Sequence, residues 1–218
     1  LHKAIHSFPT RRSSDLNQDV LTVSWKYQHD PIEIVVQAEA ENKPNITQYI
    51  IESDQKQKYE HLLYLLDSDQ YKRVMIFCNT KDMTARLCDR LKKAGYQAEC
   101  LHGDVRQSFR DKVMSGFRKG EFEILVATDV AARGIDVDDV EAVFNYDLPD
   151  KQEFYVHRIG RTGRAKRAGV SFSFVSFRDS IRMDEILKYI DSKPISLVFD
   201  DFGTLCYKED GTPFLENA

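Results

Sequence analysis

The chain has 218 residues, of which 42% are hydrophobic and 30% charged, a balance typical of a soluble globular protein that can bury a full core. This length suits one good-sized domain with appendages or at most two small domains, and no apolar run approaches the roughly 20 residues that a membrane-spanning helix needs. The net charge of −4 argues against an overall basic surface, so any nucleic acid would have to bind a local patch.

Residues 1–16, LHKAIHSFPTRRSSDL, are basic, serine-rich and interrupted by proline. A linker, a targeting peptide and a basic RNA-binding arm are alternatives. The stretch lacks the apolar core of a secretory signal, however, and Pro9 and Asp15 suit an amphipathic transit helix poorly. Written as codons, residues 6–16 resemble a common sequencing-adapter oligonucleotide translated in frame. Our hypothesis is that residues 1–16 are a non-native, adapter-derived leader.

From residue 46 onward, short β-branched or apolar runs alternate with amphipathic stretches, the pattern of βαβ units and a parallel sheet. Several runs are continuously apolar, as in strands that are covered on both faces. Between them, apolar residues recur at three- and four-residue spacing and predict helices. The prediction is an α/β fold, a parallel β-sheet flanked by helices, with strands at residues 46–51, 73–78, 98–100, 123–128, 142–146 and 170–175 and helices at 57–68, 80–95, 106–120, 151–159 and 177–190.

The tail that follows Pro194 has a different pattern, in which the turn signals D-x-G and D-G separate short apolar runs. Such spacing favours a β-hairpin or meander appended to the domain, with a loose tail as the alternative. We therefore predict a short β-rich C-terminal tail within residues 193–218.

The cysteines indicate a reducing compartment. Cys78, Cys88, Cys100 and Cys206 show neither the C-x-x-C spacing of a zinc site nor the framework of a secreted disulfide protein. We predict reduced thiols packed as small hydrophobes, no metal site, no membrane partner and a cytoplasmic location.

The stretch HRIGRTGR, residues 157–164, places Arg158, Arg161 and Arg164 at three-residue intervals. Its two glycines weaken a helix by about 1 kcal/mol each, so the backbone is expected to leave helical geometry here. Arginine presents a planar fork of donors that fits phosphate oxygens, and the stretch therefore indicates a phosphate clamp. The alternative is a solvated basic surface.

Three predicted strands end in polar loops, and ligands of parallel sheets bind beyond the carboxyl ends of strands. Helix starts at such loops also favour phosphate groups. A row of three such loops indicates a long anionic ligand instead of a small metabolite. For Asp129, a role as a helix cap is an equal alternative. The loops carry Asn79 and Thr80, then Gly103, Gln107 and Arg110, and finally Thr128, Asp129, Arg133, Gly134 and Asp136.

In this order and spacing, VMIFCNTK, HGDVRQSFR, ILVATDVAARGIDV and YVHRIGRTGR resemble the successive C-terminal motifs of DEAD-box ATP-dependent RNA helicases, especially bacterial ones. The resemblance implies the family's second RecA-like domain, a parallel sheet flanked by helices. It assigns residues 46–192 to this helicase C-terminal domain. Residues 17–45 would be the remnant of the end of a first domain with the interdomain linker, and residues 193–218 a C-terminal extension.

The resemblance also implies two sets of site residues. For ATP, Arg161 and Arg164 would be arginine fingers at the γ-phosphate, Asp136 would bind the ribose, and Arg133 would bridge to the partner domain. His157 and Arg158 would help to couple the ATP state to RNA. The RNA contacts would hold the sugar-phosphate backbone without reading its sequence, and they fall on Asn79, Thr80, Gly103, Gln107, Arg110, Thr128 and Gly134.

The P-loop pattern G-x-x-x-x-G-K-[ST] and the D-E-A-D and S-A-T motifs do not occur in the 218 residues. We therefore expect ATP and Mg²⁺ to be held mainly by an N-terminal RecA-like domain missing from this chain, and the isolated chain to be inactive. The alternative is a non-catalytic RNA-binding or regulatory module, which Arg161, Arg164 and Asp136 disfavour because the resemblance assigns them to ATP. A generic metabolite-binding domain is a further alternative, but no G-x-G-x-x-G fingerprint supports it.

Overall fold

The computed structural model describes residues 45–68, 70–132, 140–163 and 167–215. Strands and helices alternate along most of this part of the chain, and a short 3₁₀-helix (Phe177–Asp179) precedes the last α-helix. No helix among the described residues is both long and apolar enough to cross a membrane. The elements are β1 (Ile46–Glu52), α1 (Lys58–Asp67), β2 (Val74–Phe77), α2 (Lys81–Lys93), β3 (Ala98–Leu101), α3 (Gln107–Lys119), β4 (Ile124–Ala127), α4 (Asp129–Ala132), β5 (Ala142–Asn145), α5 (Gln152–Ile159), β6 (Gly169–Val175), α6 (Ser180–Ile190), β7 (Ile195–Phe199) and β8 (Leu205–Tyr207).

Within the described residues, the strands form one eight-stranded sheet in the order β3-β4-β2-β5-β6-β1-β7-β8. All neighbouring pairs are parallel except β7 with β8, which is antiparallel. The predicted α/β fold with a parallel sheet flanked by helices is therefore confirmed. The first six predicted strands agree with β1 to β6 to within one residue at each end.

Successive residues of the central strands face opposite sides of the sheet and enter separate hydrophobic clusters. On one side, Ile76 and Phe144 pack with the apolar residues of α1 and α2. On the other, Phe77 packs with α3, and a further cluster gathers α5 and α6 around Tyr155 and Met183. Because helices cover both faces, β2 and β4 are apolar along their whole length.

Local sequence sets the ends of the helices that border the site. The side-chain oxygen of Thr80 accepts a hydrogen bond from the Met83 amide at 3.2 Å, which caps the start of α2. Helix α3 ends at Gly120, whose φ of 72° lies in the left-handed region that glycine adopts without strain. Ser176 and Asp179 form a capping box at the start of the 3₁₀-helix.

The C-terminal tail is a β-hairpin, as predicted, but it is not a separate appendage. Strand β7 pairs in parallel with β1 and so extends the main sheet, and β8 then forms the sheet edge. The Asp200 carboxylate closes the turn by accepting hydrogen bonds from the amides of Phe202 and Thr204 at 2.9 and 2.8 Å. The chain then returns over the sheet, where the Phe214 ring packs 5.0 Å from the ring of Tyr49. The hairpin therefore contributes Leu197 and Leu205 to the core of the domain.

Candidate nucleic-acid and nucleotide interface

The predicted RNA-contact loops meet at one edge of the sheet. Strand β4 lies between β2 and β3, and the last residues of the three strands, Phe77, Ala127 and Leu101, are in register. The backbone continues this pairing past the strand ends, because the Cys78 amide donates to Ala127 O and the Thr128 amide to Leu101 O, both at 3.1 Å. We call this edge, formed by residues 79–80, 102–104 and 128–129, the loop edge.

The two threonines of the loop edge each cap a helix. Thr80 caps α2 as described above, and the Thr128 side-chain oxygen accepts from the Ala131 amide at 3.4 Å. Gly103 leaves open space, since a Cβ atom placed there would meet no heavy atom within 4 Å. An exposed ion pair between Lys81 and Asp104 at 2.6 Å joins two of the loops. The edge thus offers hydroxyl oxygens and an unobstructed backbone.

Gln107 and Arg110 both lie in the first turn of α3, which begins next to Gly103. Gln107 is exposed, and its amide nitrogen donates to the Asp111 carboxylate at 2.8 Å. Arg110 is half-buried. Both residues therefore lie in the first turn of the helix that follows residues 102–104 of the loop edge.

Arg158 is the hub of the loop edge, and its side chain is 1% exposed. Its Nε and Nη2 atoms donate to the two carboxylate oxygens of Asp129, both at 2.7 Å. Nη2 also donates to Asn79 Oδ1 at 2.9 Å, and Nη1 donates to the Asp147 carbonyl at 2.6 Å and to Asn145 Oδ1 at 3.4 Å. A buried guanidinium must be paired to be tolerated. Arg158 therefore fixes the loops after β2, β4 and β5 relative to one another.

Asn79 is held on three sides by groups of the protein. Its Oδ1 accepts from Arg158, its Nδ2 donates to the Leu148 carbonyl at 2.7 Å, and its backbone amide donates to Asp147 Oδ2 at 3.1 Å. The side-chain amide is thus committed within the fold. Asn79 therefore fixes the orientation of its loop. The groups of this loop that remain at the loop edge are the backbone and the Thr80 side chain.

Sequence reasoning did not predict the role of Asp129 or the burial of Lys58 nearby. Asp129 was expected as a candidate ligand or a cap, yet its carboxylate pairs with Arg158. Lys58 is 1% exposed, donates to the Tyr146 carbonyl at 3.1 Å and lies 3.8 Å from Asp179. Burial lowers the pKa of Lys58, and the carboxylates of Asp147 and Asp179 oppose this shift. A usable signal existed for Arg158, because helical spacing places it on the same face as the apolar Tyr155 and Ile159.

The second half of the arginine stretch, residues 160–163, lies at the opposite end of the strands from the loop edge. Helix α5 ends at Ile159, and the chain leaves helical geometry, as predicted. The buried Thr162 donates from its hydroxyl to the carbonyl of Val140, just before β5, at 2.5 Å. Gly163 has a φ of 67°, and a Cβ atom there would lie 2.6 Å from Ile46, the first residue of β1. The arginine loop, residues 160–163, is therefore seated at the amino ends of β5 and β1.

Helix α5 joins these two regions. Its eight residues span about 12 Å at 1.5 Å per residue. The exposed His157 lies on this helix, and the Nε of Arg161 donates to the His157 carbonyl at 3.0 Å. Arg133, Gly134, Asp136 and Arg164 lie outside the described residues, and their assignments stay predictions.

Comparison with known proteins defines the family. The helicase conserved C-terminal domain matches residues 57–166. The C-terminal domain of the DEAD-box protein Dbp5 has 36% sequence identity and a TM-score of 0.67, and the match covers 73% of this chain and 93% of that chain. A DEAD box protein from Methanococcus jannaschii gives 36% identity and a TM-score of 0.67 over 84% of this chain and 49% of that chain. The chain therefore belongs to the helicase C-terminal domain family, in its DEAD-box group.

Among curated proteins, the chain is similar to the ATP-dependent RNA helicase FAL1 of Saccharomyces cerevisiae, with 41% identity over 83% of this chain and 46% of FAL1. It is also similar to the ATP-dependent RNA helicase eIF4A of Meyerozyma guilliermondii, with 41% identity over 83% of this chain and 46% of that protein. The chain spans about half the length of these relatives. Both come from yeasts, so the bacterial type expected from the motifs is not supported.

Proposed function

We propose that this chain supplies the C-terminal half of an ATP-dependent RNA helicase, which binds the RNA backbone and completes the ATP site of an N-terminal RecA-like domain. The observation that carries the proposal is the course of α5, which links the loop edge to the arginine loop. A displacement of this helix would therefore affect both regions. RNA binding and ATP hydrolysis could be coupled in this way.

The loop edge suits an extended phosphate backbone. Asn79 and Arg158 hold its loops rigidly, and Gly103 leaves room for close approach of the RNA. Phosphate and sugar contacts position a strand without reading its sequence. We assign these contacts to the loops and helix starts of the edge, namely Asn79, Thr80, Gly103, Gln107, Arg110, Thr128 and Gly134.

The arginine loop suits the γ-phosphate of ATP held by the partner domain. Arg161 and Arg164 would act as arginine fingers, which contribute roughly 10³ to 10⁵ in phosphoryl-transfer rate. This corresponds to about 4 to 7 kcal/mol of the barrier. We assign the ribose contact to Asp136, the bridge to the partner domain to Arg133, and coupling to His157 and Arg158. Mg²⁺ and most contacts to ATP belong to the N-terminal domain.

Closure of the two domains would control the reaction. When the domains are apart, Arg161 is too far from the phosphates to act, so the isolated chain is inactive. Closure on ATP and RNA would assemble the site and bend the bound strand. A short duplex would then part locally.

The test joins this chain to an intact DEAD-box N-terminal domain and measures RNA-stimulated ATP hydrolysis. Arg161→Ala should lower kcat by at least about 10³-fold, because it removes a finger. The control is Arg86→Ala, since Arg86 is exposed on α2, on the far side of the sheet from α5. Hydrolysis that is equally fast in the Arg161 and Arg86 variants would contradict the finger assignment.

A further inference from the structure

A chain of side-chain hydrogen bonds runs from Arg158 through the interior to the C-terminal end of α6. Every donor in it points away from Arg158. After Arg158, the chain continues through Asn145, Ser173, Tyr155, Gln48 and Ser192. The successive links are Arg158 Nη1 to Asn145 Oδ1 at 3.4 Å, Asn145 Nδ2 to Ser173 Oγ at 3.0 Å, Ser173 Oγ to Tyr155 Oη at 3.4 Å, Tyr155 Oη to Gln48 Oε1 at 3.2 Å, and Gln48 Nε2 to Ser192 Oγ at 3.0 Å.

The order of the strands creates this chain. Asn145 and Ser173 are directly opposite each other on the parallel strands β5 and β6, and Gln48 lies on β1, the next strand of the sheet. Their side chains share the face that α5 covers, where Tyr155 lies between them. Asn145, Ser173 and Tyr155 are each 0% exposed. A buried polar group without a partner is costly, so each hydroxyl and amide is constrained by its neighbour.

The direction of the bonds determines the orientation of the Asn145 amide. Its oxygen must face the donor atoms of Arg158, which requires that its nitrogen find an acceptor on the other side. Ser173 Oγ can accept from the Asn145 amide only while the serine hydroxyl hydrogen points away from Asn145. This hydrogen is donated to the Tyr155 oxygen. Burial raises the pKa of Tyr155, so its hydroxyl stays protonated and can donate onward to Gln48.

We propose that Tyr155 is a positioning residue, whose hydroxyl fixes the Asn145 amide through Ser173 and thereby holds the Arg158 guanidinium against Asn79 and Asp129. If the Tyr155 hydroxyl is removed, the Ser173 hydroxyl can turn towards Asn145, and the amide can flip. The flipped amide directs its nitrogen at Arg158, where two donors then oppose each other. The effect on RNA rests on the proposed function of the loop edge, whereas the effect on Arg158 does not.

The first test reads Arg158 itself in the 218-residue chain. The ¹⁵N NMR signal of its Nε–H group, assigned by its loss in Arg158→Lys, reports exchange with water. Tyr155→Phe should accelerate this exchange about fivefold, the factor expected for one lost hydrogen bond. The control is Tyr59→Phe, because Tyr59 is also buried and donates to the Arg90 carbonyl at 3.2 Å outside this chain of bonds. An Arg158 signal that responds alike in both variants would overturn the proposal.

The second test reads RNA in the protein joined to its N-terminal domain. Tyr155→Phe should raise the KM for RNA about fivefold with kcat nearly unchanged, whereas Tyr59→Phe should change neither. Ser173→Ala interrupts the same chain one link nearer Arg158, so the double variant should be no worse than either single variant. Additive effects on KM would overturn the proposal. If Tyr155→Phe accelerates exchange of the Arg158 Nε–H group as expected but leaves the KM for RNA unchanged, the result would instead count against RNA binding at the loop edge.

Discussion

Replacing Asp129 with asparagine tests the central ion pair of the loop edge. The substitution keeps the size of the side chain but leaves the Arg158 guanidinium buried and without its charged partner. Asp129 accepts two bonds of 2.7 Å from Arg158. Hydrogen bonds to charged groups contribute about 1.5 to 3 kcal/mol each, and breaking a buried pair costs about 3 to 5 kcal/mol. The Asp129 side chain is still 18% exposed, so we expect the lower value, about 3 kcal/mol.

The measurement is urea unfolding followed by circular dichroism, with the free energy of unfolding compared between variants. A loss of about 3 kcal/mol should also lower the Tm by about 6 to 12 °C in a domain of this size. The control is Asp89→Asn, which removes an exposed i,i+4 pair with Lys93 and should cost at most about 0.5 kcal/mol. If Asp129→Asn cost no more than Asp89→Asn, Arg158 would not depend on its carboxylate partner, and the assignment of the hub would be wrong.

Three further predictions concern the arginine loop, the hairpin contact and RNA. In Gly169→Ala the new Cβ atom would lie 2.2 Å from Thr162 Oγ1, so we expect a loss of about 1 to 3 kcal/mol in thermal unfolding, whereas Gly103→Ala, which meets nothing within 4 Å, should cost less. Burial lowers the pKa of His61 from 6.5, and its ring stacks on Phe199. The unfolded state therefore binds a proton at a higher pH than the folded state, and the free energy of unfolding should fall as the pH drops below 6.5. An equally steep fall in His61→Phe would contradict this. Fluorescence titration of the isolated chain with single-stranded RNA should show weak binding that salt abolishes, and tight sequence-specific binding would favour a regulatory RNA-binding module.

The sequence alone determined the alternation of strands and helices. Apolar runs such as VMIF and ILVA are local signals, and each is followed by a helix with three- and four-residue periodicity. The departure from the helix after Ile159 was also predictable, because two glycines follow within four residues. The loop edge could be anticipated since the carboxyl ends of parallel strands lie together.

The tertiary structure decided which polar groups meet. Arg158 and Arg161 belong to the same arginine stretch, yet the Arg158 side chain is buried against Asp129 while Arg161 lies on the loop that follows α5. The reason is that partners come from strands distant in the chain, whose order in the sheet is set by packing of the whole core.

The same reason applies to the C-terminal hairpin and to the Tyr155 chain of hydrogen bonds. The turn signals predicted two strands, but the parallel pairing of β7 with β1 depends on β1 having an unpaired edge. Gln48 and Ser173 are polar residues in apolar strands, which indicates partners without identifying them. Only the order β5-β6-β1 brings Asn145, Ser173 and Gln48 onto one face beneath Tyr155.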